Sequence, residues 1–137
     1  MDDGLLSRIA EVVARHPVAF SYLFGSVARG EDRPDSDVDV AVHFEPGMDA
    51  ATRFQRCLRL GGDLEVALKR AVDVVDLEEA PLRLAGRILT ERVVVTGHER
   101  VDRVRWETAI YRPYVDVEYH AREMDRLVLR AMAEGRR

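Results

Sequence analysis

Residues 37–44 constrain this chain more than any other stretch. They read Asp-Val-Asp-Val-Ala-Val-His-Phe, a strict alternation. Successive side chains of a strand point to opposite faces, so Val38, Val40 and Val42 share one face. Asp37, Asp39 and Ala41 share the other. The valine row predicts a strand laid against a core. The acidic row predicts chemistry, because two parallel carboxylates this close repel each other unless a cation lies between them. A hard divalent ion such as Mg²⁺ suits an all-oxygen pair. It is usually held by one or two carboxylates plus substrate phosphates.

The flanking segments supply the other elements. Leu5, Leu6, Ile9, Val12 and Val13 fall at helical spacing and predict a helix over 3–15. Asp2 or Asp3 can cap it, and Pro17 stops it. Residues 18–24 are β-rich and end at Gly25, which predicts a strand. Residues 49–70 carry Phe54, Leu58, Gly61, Leu64 and Leu68 on one helical stripe. Gly61-Gly62 weakens the case for an unbroken helix there. Residues 72–77 predict a third strand. Pro81 suits the first turn of a short helix over 80–91. Residues 93–95 predict a short strand ended by Gly97. From Glu99 onward, Trp106, Ile110, Tyr114, Val117, Ala121, Met124, Val128 and Ala131 keep three-four spacing. Pro113 is expected to kink or break that helix near Arg112. The order predicts an α/β (α+β) fold, a small mixed sheet flanked by helices with a C-terminal helical tail. One domain over 1–137 is expected, with 1–97 as its core and 98–137 as its tail.

Composition excludes several classes. A chain of 137 residues, 47% hydrophobic, buries a core without staples. Cys57 is the single cysteine, which excludes an intrachain disulfide and any paired-Cys zinc site. The 21 basic residues, 20 Arg and Lys69, face 25 acids for a net charge of -4. A general nucleic-acid coat needs a basic footprint, so direct nucleic-acid binding is not expected. No apolar run nears the ~20 residues of a membrane span. The Met1-Asp2-Asp3-Gly4 start lacks the pattern of a signal peptide, so a soluble cytoplasmic protein is expected. Residues 26–49 hold seven acids against Arg29 and Arg33, a local net of -5, so the remaining residues sum to +1. The acidity is concentrated around the alternating strand.

The chemistry gathers in Gly25-Ser26-Val27-Ala28-Arg29-Gly30, then five residues, then Ser36-Asp37-Val38-Asp39. Gly25-Ser26 follows a strand at a tight turn. Glycine lets backbone approach a ligand closely, and free N–H groups at such a turn bind phosphate. A phosphate cradle beside carboxylate-held metal is the apparatus of phosphoryl or nucleotidyl transfer. Arg29 could reach a phosphate or pair with nearby acids. A third carboxylate would complete a two-metal site. Asp73, second in an otherwise apolar run, is the natural candidate. Asp76 competes, but strand parity sends it to the opposite face, and capping or solvent accounts for it. A Walker A loop is rejected, because Glu31-Asp32 stand where that motif needs Lys and Ser or Thr. The four histidines lack ligand spacing, and nothing marks a base beside Cys57.

Gly-Ser, ten residues, then Asp-x-Asp resembles the signature of the DNA polymerase beta-like nucleotidyltransferase superfamily. The full string resembles its small MNT (minimal nucleotidyltransferase) branch, over roughly residues 15–97. The resemblance implies a nucleotidyltransferase fold and a Gly25-Ser26 turn that holds the triphosphate of ATP, with Arg29 added as a weaker candidate. It implies that Asp37, Asp39 and Asp73 hold two Mg²⁺, with Asp73 matching a hydrophobic-Asp-hydrophobic strand. MNT proteins pair with HEPN-domain toxins. Some move AMP from ATP to a tyrosine of that toxin and so block its RNase activity; the other route the resemblance implies is neutralisation by binding alone. Two alternatives stand beside the antitoxin transferase: a binding-only antitoxin with a vestigial site, and a small-molecule, aminoglycoside-type nucleotidyltransferase. The Trp106–Ala131 stripe, with Tyr111, Tyr114 and Tyr119, is expected to serve as core and as a protein-binding surface.

Overall fold

A computed structural model gives the fold, and the structure describes residues 3–31, 33 and 35–135. Asp2, one of the two expected caps, and Asp32 lie outside the described residues. Helix α1 (Asp3–Val13) leads into strand β1 (Val18–Phe24), the one-turn helix α2 (Gly25–Ala28) and strand β2 (Val38–Phe44). Then come α3 (Ala50–Leu68), β3 (Val72–Asp76), α4 (Leu82–Glu91), β4 (Val93–Thr96) and α5 (Val101–Gly135). The sheet order is β3-β2-β1-β4. β1 runs antiparallel to β2 and β4, whereas β2 and β3 run parallel, so the sheet is mixed as expected.

Strand parity sorts the core into two layers. Val38, Val40 and Val42 pack with Ile9, Val12, Leu60 and Leu64, which places α1 and α3 on that face. Phe20, Tyr22, Phe24 and Ala41 pack with Leu77, Ile88 and Trp106, which places α4 and the start of α5 on the other. The acidic face of β2 is therefore not solvated along its length. Ala41 is covered, and a cleft remains only towards Asp39.

Three expectations change. α3 is unbroken through Gly61-Gly62, and Gly61 packs on β3, where a Cβ would make an ordinary contact 3.6 Å from Val74. Its start is fixed by Asp49, whose Oδ1 accepts the Thr52 N–H at 2.8 Å. Its stop is fixed by Lys69 in the left-handed region. The buried stripe of α3 is Arg53, Leu60, Gly61, Leu64 and Leu68, while Phe54 and Leu58 are each 63% exposed. β3 is the sheet's edge, so the flank of α3 above it hangs past the rim.

The last helix also differs. Pro113 does not break it, and α5 runs 35 residues. The turns after the proline are held to α4. Tyr114 lies over Gly86 so closely that a Cβ there would sit 2.0 Å from the ring, and Arg83 Nε donates to Glu118 Oε1 at 2.8 Å. No residue of α5 is fully buried, and beyond Glu118 Met124, Leu127, Val128, Leu129 and Met132 are exposed. The stripe is thus a packing face in its first half and an open apolar surface in its second. No helix among the described residues is long and apolar enough to cross a membrane.

Candidate active site

Sheet register assembles the site. Phe24, the last residue of β1, pairs with Asp39 of β2, and Asp39 pairs with Asp73 of β3. Register partners on adjacent strands lie ~4.8 Å apart and share a face. Gly25 follows Phe24 directly, so its turn is laid beside Asp39. The contact is tight: a Cβ at Gly25 would lie 2.2 Å from Asp39 Oδ2. The backbone there has φ +78, a left-handed value. Glycine is needed twice over, for the turn and for the carboxylate.

A cavity of about 670 Å³ opens at this point. Gly25, Ser26, Arg29, Asp39 and Asp73 all line it. Five of the six residues singled out in the sequence are thus brought together from β1, β2, β3 and α2. Asp37 stands apart. It precedes β2, is exposed, and does not line the cavity, although its charge acts on Asp39. Asp37 is approached by a loop that is itself tied down. Arg70 donates to the Ser36 carbonyl at 2.6 Å, and the Ser36 hydroxyl accepts the Arg33 N–H at 2.8 Å.

Burial pushes the Asp39 carboxyl above its ordinary range, and the facing Asp73 and Asp37 push it further. That is the mark of acids crowded without enough positive charge, which a cation relieves. Among the described residues, however, no three acidic, His or Cys side chains converge into a ready metal centre. The donor set fits a hard ion that takes oxygen ligands, with its remaining ligands drawn from substrate phosphates.

α4 contributes two residues the sequence did not single out. Glu91 Oε2 accepts the Gly25 N–H at 3.1 Å, and Glu91 Oε1 pairs with Arg29 Nη1 at 2.9 Å. Arg87, one turn earlier, lines the cavity and its charge favours the ionised form of Asp39. The only signal available was their i, i+4 spacing on the polar side of an amphipathic helix. Arg29 takes both of its anticipated places: it lines the cavity and also pairs with Glu31 at 3.0 Å.

The other candidates fall outside the site. Asp76 is held on the α3 side by Arg53 Nε at 2.8 Å and accepts the Glu78 N–H at 3.1 Å, so an ion pair adds to its turn-capping role. Burial pushes the Cys57 thiol up to about 11, which keeps it protonated. His16 bonds Asp63 at 2.9 Å, and His43 stacks on Phe20.

Known proteins resemble this chain in sequence and in fold. A Methanocaldococcus jannaschii relative named as a protein adenylyltransferase is 34% identical over 88 residues, covering 64% of this chain and 90% of the relative. The protein adenylyltransferase MntA of Shewanella oneidensis is 32% identical over 81 residues, covering 59% of this chain but 55% of its own length. Among solved structures, a toxin–antitoxin complex with AMP-PNP aligns with TM-score 0.70 at 24% identity, covering 90% of this chain and 98% of the other. That last likeness is one of fold. Residues 7–100 match the model of the polymerase beta nucleotidyltransferases, and with the Gly-Ser turn set against Asp39 and Asp73 the chain belongs to that family of nucleotidyltransferases.

Proposed function

We propose that this protein is an antitoxin of the cytoplasm that transfers AMP from ATP to a tyrosine of a partner HEPN toxin. The observation that carries the reading is the register that lines up Phe24, Asp39 and Asp73 and so sets the Gly25-Ser26 turn against two acids. Relatives named as protein adenylyltransferases and the fold shared with a toxin–antitoxin complex support it. Residues 1–97 act as the catalytic core and 98–137 as the tail.

Each residue then has a task. The Gly25 N–H and the Ser26 hydroxyl hold the triphosphate, with Arg29 beside them. Asp37, Asp39 and Asp73 would hold two Mg²⁺. Bound Mg²⁺ would neutralise charge that develops on the phosphates. Asp73, on the outermost strand, takes the proton of the tyrosine hydroxyl. The tyrosine oxygen bonds to the α-phosphorus, the α–β bridging bond breaks, and pyrophosphate leaves. Gly25 N–H and Arg29 engage Glu91 in the structure, so the phosphates take over donors that Glu91 now uses.

The test is to incubate the chain with Mg-ATP and its co-encoded HEPN partner and to weigh the partner. Added AMP with the wild type, and none with Asp39→Ala, is expected. No added mass from either protein overturns the reading. The exposed apolar half of α5 favours a second reading, neutralisation by binding alone. Full protection of cells by an Asp37→Ala, Asp39→Ala double variant, lost on disrupting α5, would establish it.

A further inference from the structure

β3 is an edge strand. It pairs with β2 on one side, and among the described residues no strand pairs with the other. Unpaired backbone groups along such an edge are a template for another extended chain. Beside this edge a groove of about 380 Å³ runs between β3 and α3. Phe54 and Leu58, the two residues of α3 that leave its buried stripe, line it and are each 63% exposed. It is open beside Gly62, where a Cβ would meet nothing within 4 Å. Asp73 lines both this groove and the 670 Å³ cavity, so the two adjoin at this residue of the edge strand.

Strand geometry makes that adjacency specific. An extended segment laid along β3 points alternate side chains to opposite faces of the sheet. A residue beside Asp73 that points to the Asp73 face has neighbours pointing to the α3 face, where Phe54 and Leu58 stand. The groove's acids are Glu65, Asp73, Asp76 and Glu79, with no basic residue in its lining. Arg53 pairs with Asp76 and Glu79, which leaves a site suited to neutral or basic segments.

We propose that this groove docks an extended segment of the acceptor protein as a fifth strand on β3. Its hydroxyl side chain lies on the Asp73 face, and the residues before and after it pack on Phe54 and Leu58. The proposal rests on the protein-acceptor reading above and adds what that reading lacks, a reason for choosing a polypeptide and one residue within it. The acceptor tyrosine should be flanked by apolar, uncharged or basic neighbours.

The experiment uses the full chain, Mg-ATP and the co-encoded HEPN partner, with modification followed by mass. Phe54→Asp, Leu58→Asp and Gly62→Trp alter exposed or open positions and spare the core. Val66→Asp is the control, being 80% exposed on the same helix and outside the groove lining. The groove variants should raise the KM for the partner about tenfold or more, with nucleotide affinity and Tm unchanged. Val66→Asp should match the wild type. Wild-type KM in all three groove variants, while Asp73→Asn stops transfer, overturns the groove and leaves the function standing. A wild-type chain that modifies no partner overturns both.

Discussion

Replacing Gly25 by alanine separates backbone cost from site chemistry. Gly25 has φ +78 and Gly30 has φ +74, so alanine meets the same left-handed penalty at both, ~1–2 kcal/mol. The surroundings differ. At Gly30 a Cβ meets nothing within 4 Å, whereas at Gly25 it would lie 2.2 Å from Asp39 Oδ2. Ordinary contact begins near 3.4 Å, so the carboxylate must retreat by about 1 Å. A misplacement of about 1 Å in a reacting constellation costs on the order of 100-fold in rate. Both variants should therefore lose a few degrees of Tm, roughly 3 °C for each kcal/mol in a chain of this size. Only Gly25→Ala should also lose ~100-fold in single-turnover AMP transfer. Scanning fluorimetry and rapid-quench transfer measure the two effects. Wild-type transfer by Gly25→Ala, or an equal loss in Gly30→Ala, would refute the reasoning.

Other outcomes follow from the same geometry. Asp39 is held above its ordinary range by burial and then by Asp73 and Asp37, so its charge lowers stability above its folded pKa. Asp39→Asn should raise Tm at neutral pH without divalent ions, and the gain should fade below the unfolded value of 3.8, where both states are protonated. An equal gain at pH 3 would count against this. Asp73→Asn should stop transfer with Tm kept, whereas Asp76→Asn should lower Tm because Arg53 loses a buried partner, and nucleotide titrations should find its ATP site intact. Glu91→Gln should tighten ATP binding in calorimetry, since Gly25 N–H and Arg29 no longer face a competing carboxylate. Weaker binding would instead make Glu91 a support of the turn. Truncation after Tyr119 removes no fully buried residue, so Tm should hold while affinity for the partner falls in a binding titration.

The candidate site residues are legible in the sequence because their signal is local. Asp39 and Asp73 were read from strand parity, and Gly25-Ser26 from its place after a β-rich run. Arg87 and Glu91 were not legible. They belong to a helix whose relation to β1 no local pattern encodes, and their part in the site comes only from α4 lying over the end of the sheet. Phe54 and Leu58 were misplaced for a related reason. A helical stripe shows which residues share a side, but not whether the sheet beneath extends far enough to cover them.

The sequence by itself determined the elements, the faces of β2, and the pairing of a glycine turn with an acidic strand. Those follow from bond geometry and periodicity, which act over a few residues. The tertiary structure alone decided that Phe24, Asp39 and Asp73 stand in register, that Glu91 reaches the Gly25 N–H and Arg29, and that α3 overhangs a free edge. Each of these joins segments distant in the chain, and their alignment is set by hydrogen-bonded pairing and packing of the whole sheet.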